Sequence, residues 1–394
     1  MSERRTENSL RVVFAGGTTG GHLMPAVATA EALKFLLPSS RALFLTTARK
    51  SEKHCRGALG AFEVAEVPGT PCHGIRQKIL FPVRVLRSAG RVLNVLRAFR
   101  PHVVVGLGGH NCAVPVLVAR ALSIRTVLLE SNARPGRAIR LLAPMADCVV
   151  VQWQQAARHM RAKRAVAAGC PVRSRLFGAE RDAAARRLGL VPGKCTLLAL
   201  GGSQGALALN EALYGALKLL YEEGLELQVI HLTGVDHLPT ALAQQANAFT
   251  SYRAIGFLDR MEDAYAAADF VLARAGASTL AELTALGLPS ILVPFPYATG
   301  DHQRVNAAVL ARAGAAWTVA QSELTERRLA DVIEALALNP RRRAEMAGRA
   351  RTQGRPQAAL TVAAELASTA GFGRPVRLSP QNQAQITNQS SRAA

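Results

Sequence analysis

Arg11-Val12-Val13-Phe14-Ala15-Gly16-Gly17-Thr18-Thr19-Gly20-Gly21-His22 is a short β-branched run that breaks into glycines and then passes into the Ala/Leu-rich segment Pro25 to Phe35. The same order returns later in the chain: Cys195 to Leu200, then Gly201-Gly202-Ser203-Gln204-Gly205-Ala206, then Leu207 to Leu220. Strand, glycine turn and helix in that order open a doubly wound domain, because parallel neighbours need a helical crossover. Outward from the first opening, Ala42 to Thr46, Val103 to Gly106, Thr126 to Leu129 and Cys148 to Val151 are further strand candidates. Outward from the second lie Leu227 to His231, Arg253 to Ile255, Phe270 to Ala273 and Ser290 to Val293. Helix-like segments separate them, which predicts α/β architecture with a parallel sheet covered on both faces in each half. Gly and Pro interrupt the pattern between Gly169 and Gly178, where the halves are expected to join beside a cleft.

Glycine lets the backbone turn tightly and approach a ligand with no Cβ in the way. The helix that follows offers unpaired N–H groups and roughly half a positive charge to an anion. Neither loop reads G-x-x-x-x-G-K-[ST] or G-x-G-x-x-G, which excludes a P-loop hydrolase and the dinucleotide fingerprint. One such turn serves plain helix-sheet packing equally well; two of them opening two halves favour a phosphate-bearing ligand.

Composition narrows the class. The 394 residues carry 48 Lys plus Arg against 27 Asp plus Glu, a formal charge of +21, with 49% hydrophobic residues. That is ample for two cores. The six cysteines form no C-x-x-C pair, so neither a zinc ribbon nor a disulfide framework is expected. The opening residues Met1 to Asn8 mix acids with bases and give no expectation of a signal peptide. The greasiest stretch, Val103 to Val118, is broken by glycines, His110, Asn111 and Pro115, so no spanning helix is expected. From His73 to Arg175 there are eighteen Lys or Arg and two acids, Glu130 and Asp147, a field that attracts phosphates. Nucleic acid is not the expected partner, since aromatics at 5% supply few stacking platforms.

Within that basic half, Ile79, Leu80 and Phe81 precede a helical repeat that starts near Val83 and carries Arg84, Arg87 and Arg91. A basic apolar patch of this kind suits an anionic membrane surface, or else a helix N-terminus packed on its own sheet. His22 closes the first glycine loop at a helix start, where backbone donors favour the neutral imidazole, a candidate general base, a cap or a phosphate ligand. Glu130 ends a strand in Leu129-Glu130-Ser131-Asn132 and reads as a base, a ligand for an acceptor hydroxyl or an arginine's partner; Asn132 reads a sugar or shapes the turn. Glu282, one turn into the helix after Ala273-Arg274-Ala275-Gly276-Ala277-Ser278-Thr279, can bind a ribose diol or sit as an ordinary N-terminal acid. Asp301 to Asn306 place polar side chains at a further helix start and look like sugar readers.

These motifs in order resemble the MurG-type glycosyltransferases of glycosyltransferase family 28: G-G-x-T-G-G-H ending at His22, G-G-H at Gly108 to His110, L-E-S-N around Glu130, P-V-R at Pro171 to Arg173, G-G-S-Q-G-A at Gly201 to Ala206, G-F-L-D-R-M at Gly256 to Met261, R-A-G-A-S-T-L-A-E at Arg274 to Glu282, and D-H-Q-x-x-N-A at Asp301 to Ala307. The resemblance runs from about Leu10 to Phe372. It implies a GT-B fold with two Rossmann-like domains facing a deep cleft. Residues 1–10 would be a flexible N-terminus, 11–172 the acceptor and membrane domain, 173–355 the UDP-N-acetylglucosamine domain, 356–372 a helix returning to the first domain, and 373–394 a disordered tail.

The implied reaction is inverting transfer of N-acetylglucosamine from its UDP conjugate to the 4-hydroxyl of undecaprenyl-diphosphate-linked muramoyl pentapeptide, with no metal or other cofactor. Implied roles are His22 and Glu130 in catalysis; Thr19, Gly20, Asn132, Arg173, Ser203, Gln204, Leu258, Ala277, Thr279, Glu282 and Gln303 on the donor; and Gly17, Thr18, Gly21, Gly109 and His110 on the acceptor diphosphate. Ile79, Leu80, Phe81 and Arg84 would meet anionic inner-leaflet lipids at the cytoplasmic face, and other cell-wall synthesis proteins are implied partners. This chain carries Thr18, His110, Leu129, Ser131 and Cys170 where the family commonly has other residues. A GT-B transferase with another lipid acceptor, or a non-catalytic UDP-sugar-binding relative, shares the same donor pattern.

Overall fold

A computed structural model describes residues 9–16, 20–47, 56–70, 81–202, 205–248 and 251–373. Gly17, Thr18, Thr19, Ile79, Leu80, Ser203, Gln204, the N-terminal arm and the polar tail lie outside the described residues. The chain divides into two compact units: one ends at Arg173 and takes the chain up again at Pro356, and the other runs from Ser174 to Arg355.

The first unit holds a seven-stranded, all-parallel sheet in the order β3-β2-β1-β4-β5-β6-β7. Its strands are β1 (Arg11–Ala15), β2 (Arg41–Thr46), β3 (Glu63–Glu66), β4 (Val103–Gly106), β5 (Arg125–Glu130), β6 (Cys148–Val151) and β7 (Ala165–Val166). The central strands are continuous apolar runs because helices cover both faces: β4 and β6 are buried at every position. The second unit repeats the plan with six parallel strands, β10-β9-β8-β11-β12-β13. They are β8 (Thr196–Leu200), β9 (Gln228–Leu232), β10 (Tyr252–Ile255), β11 (Phe270–Ala273), β12 (Ser290–Leu292) and β13 (Ala316–Thr318). The helices Leu207–Glu222 and Glu326–Ala337 bury Leu209, Leu213, Leu329 and Ile333 with Leu197, Val229 and Phe270 in its core.

In each sheet the chain runs outward in one direction from the first strand and then returns to build the other side. The reversal falls between β1 and β4 in the first unit and between β8 and β11 in the second. The strand ends there are level, with Ala15 opposite Gly106 and Leu200 opposite Ala273. A crevice beyond the carboxyl ends at such a reversal is where open α/β sheets bind ligands.

Three strands have no counterpart in the apolar pattern: β3, β7 and β13. Each lies at a sheet edge and is short, and β3 exposes both of its glutamates, so no continuous apolar run marks it. The first helix also differs from expectation. It spans Gly20–Leu36 and carries Pro25 inside, five residues earlier than a start at Pro25. Proline costs one backbone bond within a helix; the packing of Leu23, Ala26, Val27 and Ala30, all buried, holds the helix through it. His22 therefore lies within the helix rather than ahead of it.

The helix Ala358–Thr369 packs on the helix Gly20–Leu36 and closes the first unit. Glu365, buried, accepts from Arg164 and from the Thr369 hydroxyl. Cys112, Cys148, Cys170 and Cys195 form no disulfide, and burial pushes the Cys112 thiol up to about 12. These are packing residues rather than nucleophiles.

Candidate active site

In the first unit three loops leave the carboxyl ends of the adjacent strands β1, β4 and β5, and each carries expected site residues. His22 follows β1, Gly109 and His110 follow β4, and Glu130 and Asn132 close β5. Gly108 is in the left-handed region at φ 85, and a Cβ built there would lie 3.6 Å from both Cδ2 and Nε2 of His22. The glycine therefore brings the backbone after β4 against the imidazole, in a conformation that strains any residue with a Cβ. Gly21 is exposed at the start of its helix.

Glu130 is 5% exposed, and both of its oxygens are engaged. Oε1 accepts from the Asn132 backbone N–H at 2.8 Å and from the Asn132 amide at 2.9 Å, while Oε2 accepts from the Gly136 N–H at 2.8 Å. The carboxylate thus organises the turn 130–136 through amide donors. Asp147, the other acid of the basic half, accepts from Thr126 N at 2.8 Å and pairs with Arg120 and Arg125. Among the described residues no carboxylate pairs with Arg84, Arg87, Arg91 or Arg97, so the helix Phe81–Phe99 keeps its positive field.

Phe81 belongs to that helix rather than preceding it. Its buried stripe is Ser88, Val92, Leu96 and Phe99, while Phe81, Val83 and Leu86 are exposed, Leu86 at 72%. No helix among the described residues is long and apolar enough to cross a membrane.

In the second unit the glycine loop after β8 and the loop 274–276 after β11 stand side by side, because Leu200 and Ala273 are register partners. The latter leads into the helix Ala277–Leu286, whose first turn carries Ala277 and Thr279. Glu282, half-buried, follows one turn later and accepts from the Tyr265 hydroxyl at 2.7 Å. Tyr265 is 3% exposed and comes from the helix Met261–Ala267. Leu258, half-buried, lies beyond β10 in a loop held by Arg175, which donates to the Asp259 carbonyl at 3.1 Å, and by Arg260 and Arg187 on the buried Asp263.

Arg274 is 8% exposed and donates to the Val293 carbonyl at 3.1 Å and to Gln321 Oε1 at 2.7 Å. It clamps the loop after β12. Gln303 Oε1 accepts from the Phe295 N–H at 2.9 Å. Asn306 is fully buried and donates to the Ala275 carbonyl at 3.2 Å, so it holds the loop 274–276 from behind. Arg173, 9% exposed, keeps a buried Nε with no hydrogen-bond partner, a cation with a donor to spare for an anion. Among the described residues no group of three or more His, Cys, Asp or Glu side chains is placed to hold a metal ion.

Sequence reasoning missed Tyr265 and Arg274. Tyr265 stands 17 residues before Glu282 with no local signal, and nothing near Arg274 in sequence points to the Val293 carbonyl or to Gln321.

Two parallel doubly wound units with ligand loops at both sheet reversals define a GT-B glycosyltransferase architecture. The pattern of the glycosyltransferase family 28 N-terminal domain matches residues 12–151, and that of the family's C-terminal domain matches residues 196–362. The chain belongs to glycosyltransferase family 28. It is 37% identical over 366 residues to the UDP-N-acetylglucosamine–N-acetylmuramyl-(pentapeptide) pyrophosphoryl-undecaprenol N-acetylglucosamine transferase of Halothermothrix orenii, covering 90% of this chain and 97% of the relative. The identically named protein of Sorangium cellulosum is 38% identical over 402 residues, covering 96% of each. Among solved structures, Acinetobacter baumannii MurG superposes with a TM-score of 0.71 at 26% identity, covering 92% of this chain and 99% of that one. The S. aureus MnaA–UDP structure, at 13% identity and a TM-score of 0.67, shares the fold alone.

Proposed function

We propose that this protein transfers N-acetylglucosamine from UDP-N-acetylglucosamine, with inversion, to the 4-hydroxyl of undecaprenyl-diphosphate-linked N-acetylmuramoyl pentapeptide, converting lipid I to lipid II in peptidoglycan synthesis. The observation that carries this reading is the agreement in name and length of relatives 37–38% identical across about nine-tenths or more of both chains. The site chemistry supports it. On the donor side, Glu282 accepts from the ribose hydroxyls, held by Tyr265, and Leu258 lies against the uracil. Ser203, Gln204, Thr279 and Arg173 take the diphosphate, and Thr19, Gly20, Asn132, Ala277 and Gln303 meet the sugar.

In the chemical step the acceptor 4-hydroxyl attacks C1 of the sugar, the C1–O bond to the β-phosphate breaks, and its electron pair leaves with UDP. His22 takes the hydroxyl proton. Charge on the departing diphosphate is met by the amino end of the helix Ala277–Leu286 and by Arg173, fixed donors where charge develops. No metal takes part in this scheme. Glu130 serves the step as the second catalytic residue of this scheme, holding Asn132 through the turn 130–136.

Gly17, Thr18, Gly21, Gly109 and His110 line the acceptor diphosphate in this reading. The apolar and basic start of the helix Phe81–Phe99, together with Ile79 and Leu80, rests on anionic inner-leaflet lipids at the cytoplasmic face, as a peripheral contact. Other cell-wall synthesis proteins are proposed neighbours there.

The test is transfer of labelled N-acetylglucosamine to a short-chain lipid-linked muramoyl pentapeptide with EDTA present and UDP release followed in parallel. Product with EDTA supports the function and the metal-free scheme together. UDP-sugar binding without product moves the reading to another acceptor. Equal turnover by His22→Ala and the parent removes His22 as the base.

A further inference from the structure

We infer that Asn210, His231 and Tyr252 are positioning residues for the glycine loop that follows β8, acting through the carbonyl of Thr233 on Gly205. The functional consequence rests on the reading above, in which that loop takes the donor diphosphate.

His231 is fully buried in β9, and both ring nitrogens are engaged: Nδ1 lies 2.6 Å from the Tyr252 hydroxyl and Nε2 3.0 Å from Asn210 Oδ1. Asn210, 1% exposed, donates through Nδ2 to the Thr233 carbonyl at 3.1 Å, so the oxygen of its amide is the atom aimed at the ring. An amide oxygen only accepts. Nε2 therefore carries the ring proton, Nδ1 the lone pair, and the Tyr252 hydroxyl donates. The bonds run in one direction, from Tyr252 through His231 and Asn210 to Thr233.

Thr233 is held from its other side as well, since its N–H donates to the Ile255 carbonyl at 3.0 Å. Its carbonyl is where the glycine loop lands. Gly205 is in the left-handed region at φ 75, its N–H donates to the Gly202 carbonyl at 3.0 Å, and a Cβ at 205 would overlap the Thr233 carbonyl and crowd His237 Cδ2 at 2.9 Å. The near end of the loop is fixed by β8; the far end rests on Thr233.

An apolar trio would fill this space without the desolvation that buried polar groups carry. A directional, satisfied network instead sets the carbonyl's position, because each bond leaves its neighbour one orientation. This relay approaches the loop from within the sheet and touches no substrate.

Asn210→Leu, His231→Phe and Tyr252→Phe test the relay by two readouts. With UDP-N-acetylglucosamine varied, Asn210→Leu is expected to raise KM about tenfold or more while kcat stays within about threefold. In unliganded protein, amide exchange across 201–206 should accelerate about tenfold against amides of β8. The effects should fall in the order Asn210→Leu, His231→Phe, Tyr252→Phe, as the deleted bond moves away from Thr233. Variants that lose thermal stability but keep the parental KM and parental loop exchange overturn the inference. Should Asn210→Leu not fold, Tyr252→Phe, which deletes one hydroxyl, carries the same exchange readout. A parent that binds no UDP-sugar would defeat the donor reading, while loop exchange still decides the positioning role.

Discussion

The Tyr265 hydroxyl donates to Glu282 Oε2 at 2.7 Å from a residue that is itself 3% exposed, so the carboxylate proposed for the ribose is oriented by a neighbour buried behind it. Bonds to charged groups are worth about 1.5–3 kcal/mol, so Glu282→Ala should raise the donor KM about 10- to 100-fold with a smaller effect on kcat. Tyr265→Phe removes only the orienting bond and should raise that KM about three- to tenfold. Steady-state kinetics with UDP-N-acetylglucosamine varied checks both; an unchanged KM in Tyr265→Phe would mean that packing alone orients Glu282.

Glu130→Gln keeps one acceptor oxygen and turns the other into an NH2 donor, so either the Asn132 or the Gly136 backbone N–H loses its acceptor. A buried donor left without its partner costs about 1–3 kcal/mol. Expected is a lower melting temperature together with reduced turnover, and a pH–kcat profile that keeps its acidic limb. Loss of that limb at parental stability would make Glu130 the base.

Burial pushes the His231 imidazole from its ordinary 6.5 down to about 3. Between those values the unfolded chain holds a proton that the folded chain does not, so stability falls as pH drops through the window and is constant above it. From pH 7 to pH 5 this group removes about 2 kcal/mol. His231→Phe should lose less stability than the parent over that interval in denaturant titrations. Parallel losses would show that the ring is not the acid-sensitive group.

Val83 and Leu86 are exposed on the helix Phe81–Phe99, outside its buried stripe. Val83→Glu with Leu86→Glu should therefore leave the melting temperature within about 1 °C, as surface changes do. The pair should sharply reduce flotation with vesicles containing anionic lipid, while turnover of a short-chain acceptor is retained. Parental flotation would place the membrane contact elsewhere.

The repeated glycine turns, the buried strands and the order of motifs were legible because each is local: a run of β-branched residues covered on both faces has no polar alternation to hide it. The edge strands β3, β7 and β13 were not legible, since half of each strand's pairing surface and much of its burial is missing. What Glu130 and Asn306 touch within the fold was not legible either. Their partners, the Gly136 N–H and the Ala275 carbonyl, come from backbone that a linear reading does not orient.

By itself the sequence determined the α/β class, the two halves, the family motifs and where each motif sits along its strand or helix, because strand and helix periods and glycine turns are short-range properties. Tertiary structure decided which polar groups remain available. Arg274 and Asn306 donate to backbone carbonyls, Glu130 accepts from amides, and Glu282 is held by a tyrosine 17 residues away. Hydrogen-bond capacity is finite, and only the packed chain shows where it has been used.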